Sequence, residues 1–429
     1  MGGGISGNLV DNTKLGPGKS SVMQSNGSSC QIAEDILVRN RKKPRRARLL
    51  AQSKTANQEI SPENNGWNNL TRLLAFLFIS RFILMSFMES GFRMKIPLSN
   101  ISCHDAVWFF ACLFVIFLRC CFCYFLNLSN ADLSVVVAYI PVSECLSSIM
   151  VYLKIKHVFL ACWLYILSLS YDMKMYSFLI NGREPSTMLR FLKFLSYPTL
   201  VYKEEYQMKS KRNWGLIWTS AFKLVAFLLL LCFFLDQHAV PAIIKLITSS
   251  SSNSFIEGFM HLSISSIILF NLFFRIFFDC GMTILSELTL FDEKIFGEWW
   301  NSRSTADFWK NWNLPVHNFM KEHIYTPLIK RGVNRSGATF VCFLFSGFIH
   351  EYVVSMTLKF FNGWFLLGMV VQIPLYYITN MMKEKAPSIA NSFFWICFCA
   401  VGQPIGMFLI CKGQYYRSNV QQLRDSAVV

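Results

Sequence analysis

The sequence predicts an all-α polytopic membrane protein, with about nine transmembrane helices and interfacial helices on its cytosolic side. Only 15% of the residues are charged and 53% are hydrophobic, whereas soluble proteins carry about 25% charged residues. The charges are gathered into short intervals. Between them lie apolar runs of the roughly 18 or more residues that suggest a spanning helix.

The first sixty residues are polar and rich in Gly, Ser and Asn, with a basic cluster at Arg39, Arg41, Lys42, Lys43, Arg45, Arg46 and Arg48. Residues 1–65 therefore read as a disordered basic tail. The start Met-Gly-Gly-Gly-Ile-Ser has the serine offset of an N-myristoylation signal. Residues 66–416 read as the membrane-embedded domain and 417–429 as a short C-terminal tail. Spans are expected near 70–90, 106–126, 133–153, 157–172, 214–235, 255–278, 337–360, 363–380 and 391–411. The fourth is short enough to be tilted or partly re-entrant.

Basic residues favour the cytosolic side of a membrane. The basic tail then puts the N-terminus in the cytosol, and alternation puts the polar stretches 173–213 and 279–336 there too. The first of these holds eight Lys/Arg against three acidic residues, while the short connection near 236–254 has a single Lys. A net charge of +16 suits an anionic membrane surface and an anionic cosubstrate. Nucleic acid is another source of basic excess, but the apolar mass argues against it. The cysteines mostly sit inside apolar runs, with neither zinc spacing nor a disulfide framework, and read as small buried residues. No internal repeat is visible.

Stretch 279–336 interleaves Trp299, Trp300, Trp309 and Trp312 with charge, a pattern suited to interfacial helices. Helices that merely anchor are the competing reading.

His350, followed by Glu351, stands out because an ionisable pair within an apolar span is costly and marks a functional site by default. Ser346, Gly347, His350 and Thr357 share roughly one helical face, and Gly347 is expected to leave room for substrate beside the imidazole. A neutral imidazole can take a proton from a hydroxyl. A histidine that only bonds a neighbouring helix is the alternative. Asn313 lies in Trp-Asn-Leu-Pro, where Pro315 breaks or starts a helix. Its amide could orient a histidine or hold a thioester carbonyl, or simply cap a turn. Position 354 is Val, so His350 and Glu351 do not form a His-Glu-x-x-His zinc site. Neither a nucleophile elbow nor a Walker A loop is visible.

Taken together, these segments resemble the membrane-bound O-acyltransferase superfamily, in its branch of diacylglycerol and sterol acyltransferases. That family pairs a span-embedded histidine before Glu-Tyr with an upstream Trp-Asn. Ile295-Phe296-Gly297-Glu298-Trp299-Trp300-Asn301 is similar to its acyl-CoA-associated Phe-Tyr-x-Asp-Trp-Trp-Asn, departing at Ile295, Phe296 and Glu298. Lys174-Met175-Tyr176-Ser177 and Tyr197-Pro198-Thr199-Leu200-Val201-Tyr202 look like two further family segments. The similarity runs from about residue 70 to about 416.

The resemblance implies His350 as general base, Asn313 as its polar support, and Glu298, Trp299, Trp300 and Asn301 near acyl-CoA. Glu351, Gln372 and Gln403 are candidate supporting groups. Acyl-CoA is a substrate; no cofactor and no metal are implied. Trp-Asn-Leu-Pro-Val-His, Gln372-Ile-Pro-Leu and Gly-Gln403-Pro-Ile look like the diacylglycerol branch, with a sterol acceptor as the alternative. The family further implies an endoplasmic reticulum membrane and a homodimer or homotetramer. A membrane transporter is the rival of another class; the missing repeats and the aromatic stretch argue against it.

Overall fold

The computed structural model describes residues 63–96, 100–129, 132–182 and 187–427. The basic cluster and the myristoylation-like start lie outside the described residues. The chain divides into two units, Met1–Ile83 and Leu84–Val429, and helix α1, Glu63–Ser90, crosses the division. In the first unit α1 exposes Leu70, Leu73, Leu74, Phe76 and Leu77, a surface suited to lipid.

Helices follow one another along the second unit: α2, Cys103–Leu128; α3, Leu133–Lys154; α4, Val158–Asn181; and α5, Met188–Ser196. Next come α6, Trp214–Phe234; α7, Val240–Thr248; α8, Ser252–Phe274; and α9, Thr283–Thr289. Three short helices precede the catalytic candidate: α10, Thr305–Trp312; α11, Leu314–Met320; and α12, Thr326–Lys330. The last four are α13, Arg335–Leu358; α14, Trp364–Lys385; α15, Pro387–Trp395; and α16, Gln403–Ala427. Local chemistry sets many starts. Ser102, Asp132, Thr187, Asn213, Ser304, Asn313 and Asn334 each accept a backbone N–H from the first turn they cap.

Nine helical stretches among the described residues are long and apolar enough to cross a membrane, as the apolar runs predict. Four extend well beyond the expected bounds. The fourth, 158–181 rather than 157–172, carries Asp172 and Lys174 inside the helix. Asp172 closes the expected span and Lys174 falls in the expected polar stretch, but both are buried and partnered. Asp172 pairs with Arg119 of α2, and Lys174 Nζ donates to the carbonyls of Phe194, Leu195 and Tyr197 at 2.9, 2.8 and 2.6 Å.

The fifth runs Trp214–Thr248 rather than 214–235. It passes the polar run after Leu235 as a π-helical stretch, Leu235–Ala239, that buries Gln237. Gln237 Nε2 donates to the carbonyl of Gly91 at 3.0 Å and its Oε1 accepts Arg93 N at 2.7 Å. Similar π-helical stretches, Arg275–Met282 and Ile396–Gly402, continue the sixth and ninth spans. Most of the expected 236–254 connection is therefore helix.

The two polar stretches lie against each other. Lys209 N donates to Leu290 O at 2.7 Å and Asp292 N to Gln207 O at 2.9 Å. Lys203 and Glu293 form an ion pair at 2.8 Å. Both stretches therefore occupy the same end of the bundle.

Candidate active site

Helix α13 carries His350. Asn334 caps its first turn, and Gly347 lies against α14, where an added Cβ would come within 2.9 Å of Leu366 Cδ1 and 3.2 Å of Met369 Cβ. Gly347 thus serves helix packing, which corrects the expectation that it leaves space for substrate. The imidazole is exposed. Its Nδ1 sits 2.7 Å from the Ser346 carbonyl oxygen. A carbonyl can only accept, so Nδ1 carries the proton. In the neutral ring the lone pair is then on Nε2.

Glu351 turns away from His350. Its Oε1 accepts Gly363 N at 2.8 Å and Ser355 Oγ at 2.8 Å, and its Oε2 accepts Phe365 N at 3.0 Å. A buried carboxylate here answers the unpaired N–H groups at the start of α14. Gly363 closes that turn at φ +76°, a left-handed conformation that favours glycine.

The two aromatic motifs are held together by backbone. Gly297 N donates to Asn311 O at 2.7 Å and Leu314 N to Ile295 O at 2.9 Å. Trp299 is buried against Trp312, with ring centroids 5.0 Å apart, amid Phe270, Phe274 and Phe308. Trp300 and Glu298 are exposed, and Asn301 Nδ2 donates to Glu298 Oε2 at 3.1 Å. A Cβ on Gly297 would fall 2.5 Å from Asn311 Oδ1. Gly297→Ala should therefore destabilise the junction by about 1–3 kcal/mol. The check is the thermal midpoint of the purified variant. An unchanged midpoint would show that the Asn311 side chain gives way freely.

Asn313 has extended backbone, and its Oδ1 accepts Val316 N at 3.1 Å, capping α11. The acceptor half of its amide is thus committed to the turn. Trp309 Nε1 donates to Gln372 Oε1 at 2.8 Å, which ties the aromatic segment to α14, the helix packed on Gly347. Gln403 starts α16 directly after a π-helical stretch. Among the described residues, no hydrogen bond joins His350 directly to Asn313, Gln372 or Gln403.

The Lys-Met-Tyr-Ser segment is a joint. Ser177 Oγ accepts Tyr202 N at 2.8 Å and meets His323 Nε2 at 2.8 Å. Together with Lys174, it fastens 194–202 and the stretch after α11 to α4. Burial holds His323 below the ordinary histidine range, against an opposing pull from Glu322. His317 is lowered by burial and then by Lys321 and Lys310.

Sequence reading missed a buried ionic cluster. Arg119 donates to Glu144 Oε2 at 2.8 Å, to Ser147 Oγ and Ser168 Oγ at 2.7 Å each, and also to Asp172. The available signal was two lone charges, Arg119 and Glu144, each deep in an apolar run, with Asp172 at the expected end of the next span.

The family model described as MBOAT, membrane-bound O-acyltransferase family, matches residues 149–411, more than half of the chain and the stretch that holds every candidate residue above. The chain belongs to the membrane-bound O-acyltransferase family. It is 31% identical over 221 residues to diacylglycerol O-acyltransferase 1C of Glycine max, covering 50% of this chain and 43% of that protein. It is 32% identical over 225 residues to diacylglycerol O-acyltransferase 1 of Arabidopsis thaliana, covering 50% and 42%. A Dictyostelium discoideum diacylglycerol O-acyltransferase 1 is 31% identical over 232 residues, covering 53% and 36%. The matched region spans less than half the length of each of these relatives.

Proposed function

We propose that this family member transfers an acyl group from acyl-CoA to diacylglycerol, giving triacylglycerol, with His350 as general base. The observation that carries the reading is the imidazole itself, exposed and with Nδ1–H fixed on the Ser346 carbonyl. Nε2 is left to accept the proton of the lipid hydroxyl as its oxygen attacks the thioester carbon. The C–S bond then breaks, and the CoA thiolate leaves and takes up that proton. Holding the two substrates in line supplies much of the rate. Asn313, with Oδ1 engaged in its cap, has Nδ2 to offer the thioester carbonyl. Gln372, held by Trp309, lines the same region in this reading.

An apolar cavity of about 250 Å³ follows His350 along α13. It is lined by Val354, Thr357 and Leu358 with Phe365, Met407 and Ile410, and it suits an alkyl chain. The two paired polar stretches face the cytosol in this reading, where their basic residues meet the CoA phosphates. The membrane is that of the endoplasmic reticulum, and the protein is a homodimer or homotetramer.

The test is competition. Purified protein in vesicles receives labelled acyl-CoA with diacylglycerol and cholesterol at equal mole fraction. Diacylglycerol should be esterified at least several-fold faster, since pocket differences are worth about 1–3 kcal/mol each. Steryl ester as the main product would move the chain to the sterol alternative.

A further inference from the structure

The residue after Glu351 anchors α13 in another direction. Tyr352 OH donates to Glu144 Oε1 at 2.8 Å and also meets Ser148 Oγ. Glu144 is in turn held by Arg119 at 2.8 Å and Ser168 at 2.5 Å. Arg119, Glu144 and Ser168 belong to α2, α3 and α4, so the phenol ties α13 to a three-helix polar cluster. At 3.6 residues per turn, Tyr352 stands about 200° around the helix from His350, almost on its back. Glu351 holds an intermediate flank against α14. Two polar anchors in different directions set how α13 is rotated about its own axis. A turn of about 10° would move a ring about 6 Å from the axis by roughly 1 Å. Misplacement on that scale can lower a rate by about 10²-fold.

We propose that Tyr352, through its hydrogen bond to Glu144 of the Arg119 cluster, is a positioning residue that sets the rotation of α13 and so the placement of the His350 imidazole. This rests on the reading of His350 as the base. Tyr352 does not touch substrate. Its ring packs edge-on to Tyr165, with centroids 6.1 Å apart, a contact that phenylalanine retains.

Tyr352→Phe in the full-length purified protein tests this. Tyr165→Phe is the control, because it removes a neighbouring hydroxyl whose bond among the described residues is to the neutral Ser148 carbonyl, at 3.3 Å, rather than to a carboxylate. The Tyr352 variant should lose about tenfold or more in kcat, with KM for acyl-CoA changed by less than about twofold. Its thermal midpoint should fall somewhat below that of Tyr165→Phe, since buried Glu144 loses a donor, so rates are compared at matched amounts of folded protein; Tyr165→Phe should keep wild-type kcat. Wild-type kcat in Tyr352→Phe, beside an active wild type and an inactive His350→Ala, would overturn the positioning role alone. Equal losses of kcat and midpoint in both tyrosine variants would also overturn it, by showing a purely structural cluster. A wild type that forms no ester would overturn the acyl-transfer reading and this inference with it.

Discussion

His350→Ala is expected to lower acyl transfer by roughly 10²–10⁴-fold, the range that a positioned general base contributes. A lipid hydroxyl is a poor nucleophile until its proton has somewhere to go. The Nε2 lone pair, oriented through the 2.7 Å contact of Nδ1 with the Ser346 carbonyl, supplies that acceptor. The substitution should leave the fold intact, because the ring is exposed and its hydrogen bonds among the described residues are to Ser346 of its own helix. Initial rates at matched amounts of folded, membrane-inserted protein are the check. More than half the wild-type rate would remove His350 from the mechanism.

Arg119→Ala should have the largest effect on stability. The guanidinium is 6% exposed and faces two carboxylates, Glu144 and Asp172. Removing it leaves both buried without a counter-charge, and breaking a buried pair in this way costs about 3–5 kcal/mol. The expected result is a large fall in thermal midpoint and in recovery of monodisperse protein. Replacing all three charges together, as Arg119→Met, Glu144→Gln and Asp172→Asn, should recover much of the loss, since an uncharged cluster has no uncompensated ion. A midpoint within experimental error of wild type for Arg119→Ala would mean that water reaches the cluster.

The spans were legible because bilayer dimensions impose a long apolar run, and nothing distant is needed to see one. Their ends were less so. Lys174 and Gln237 look like loop residues in one dimension, and Asp172 like the end of a span. Each is partnered by a group at least twenty residues away in the chain, and only the folded chain shows it. His350 stood out by the same rule that a lone ionisable group in an apolar span is unusual. Applied to Arg119 and Glu144, that rule would have found the cluster as well. Which way each neighbour points was not legible. Gly347 meets α14 rather than open space, Glu351 caps α14 rather than supporting the imidazole, and for Asn313 the turn cap was one of the readings the sequence left open. The pairing of Gly297 with Asn311 gives a physical reason for two motifs that a string of letters shows only as separate similarities.

The most direct test of the central claim measures thiol release and ester formation together, using purified protein in vesicles of defined lipid with acyl-CoA supplied outside. The account predicts that each CoA thiol released is matched by one molecule of triacylglycerol, and that both signals depend on added diacylglycerol and vanish in His350→Ala. Thiol release that ignores the acceptor, or movement of a solute across the vesicle without ester formation, would contradict it.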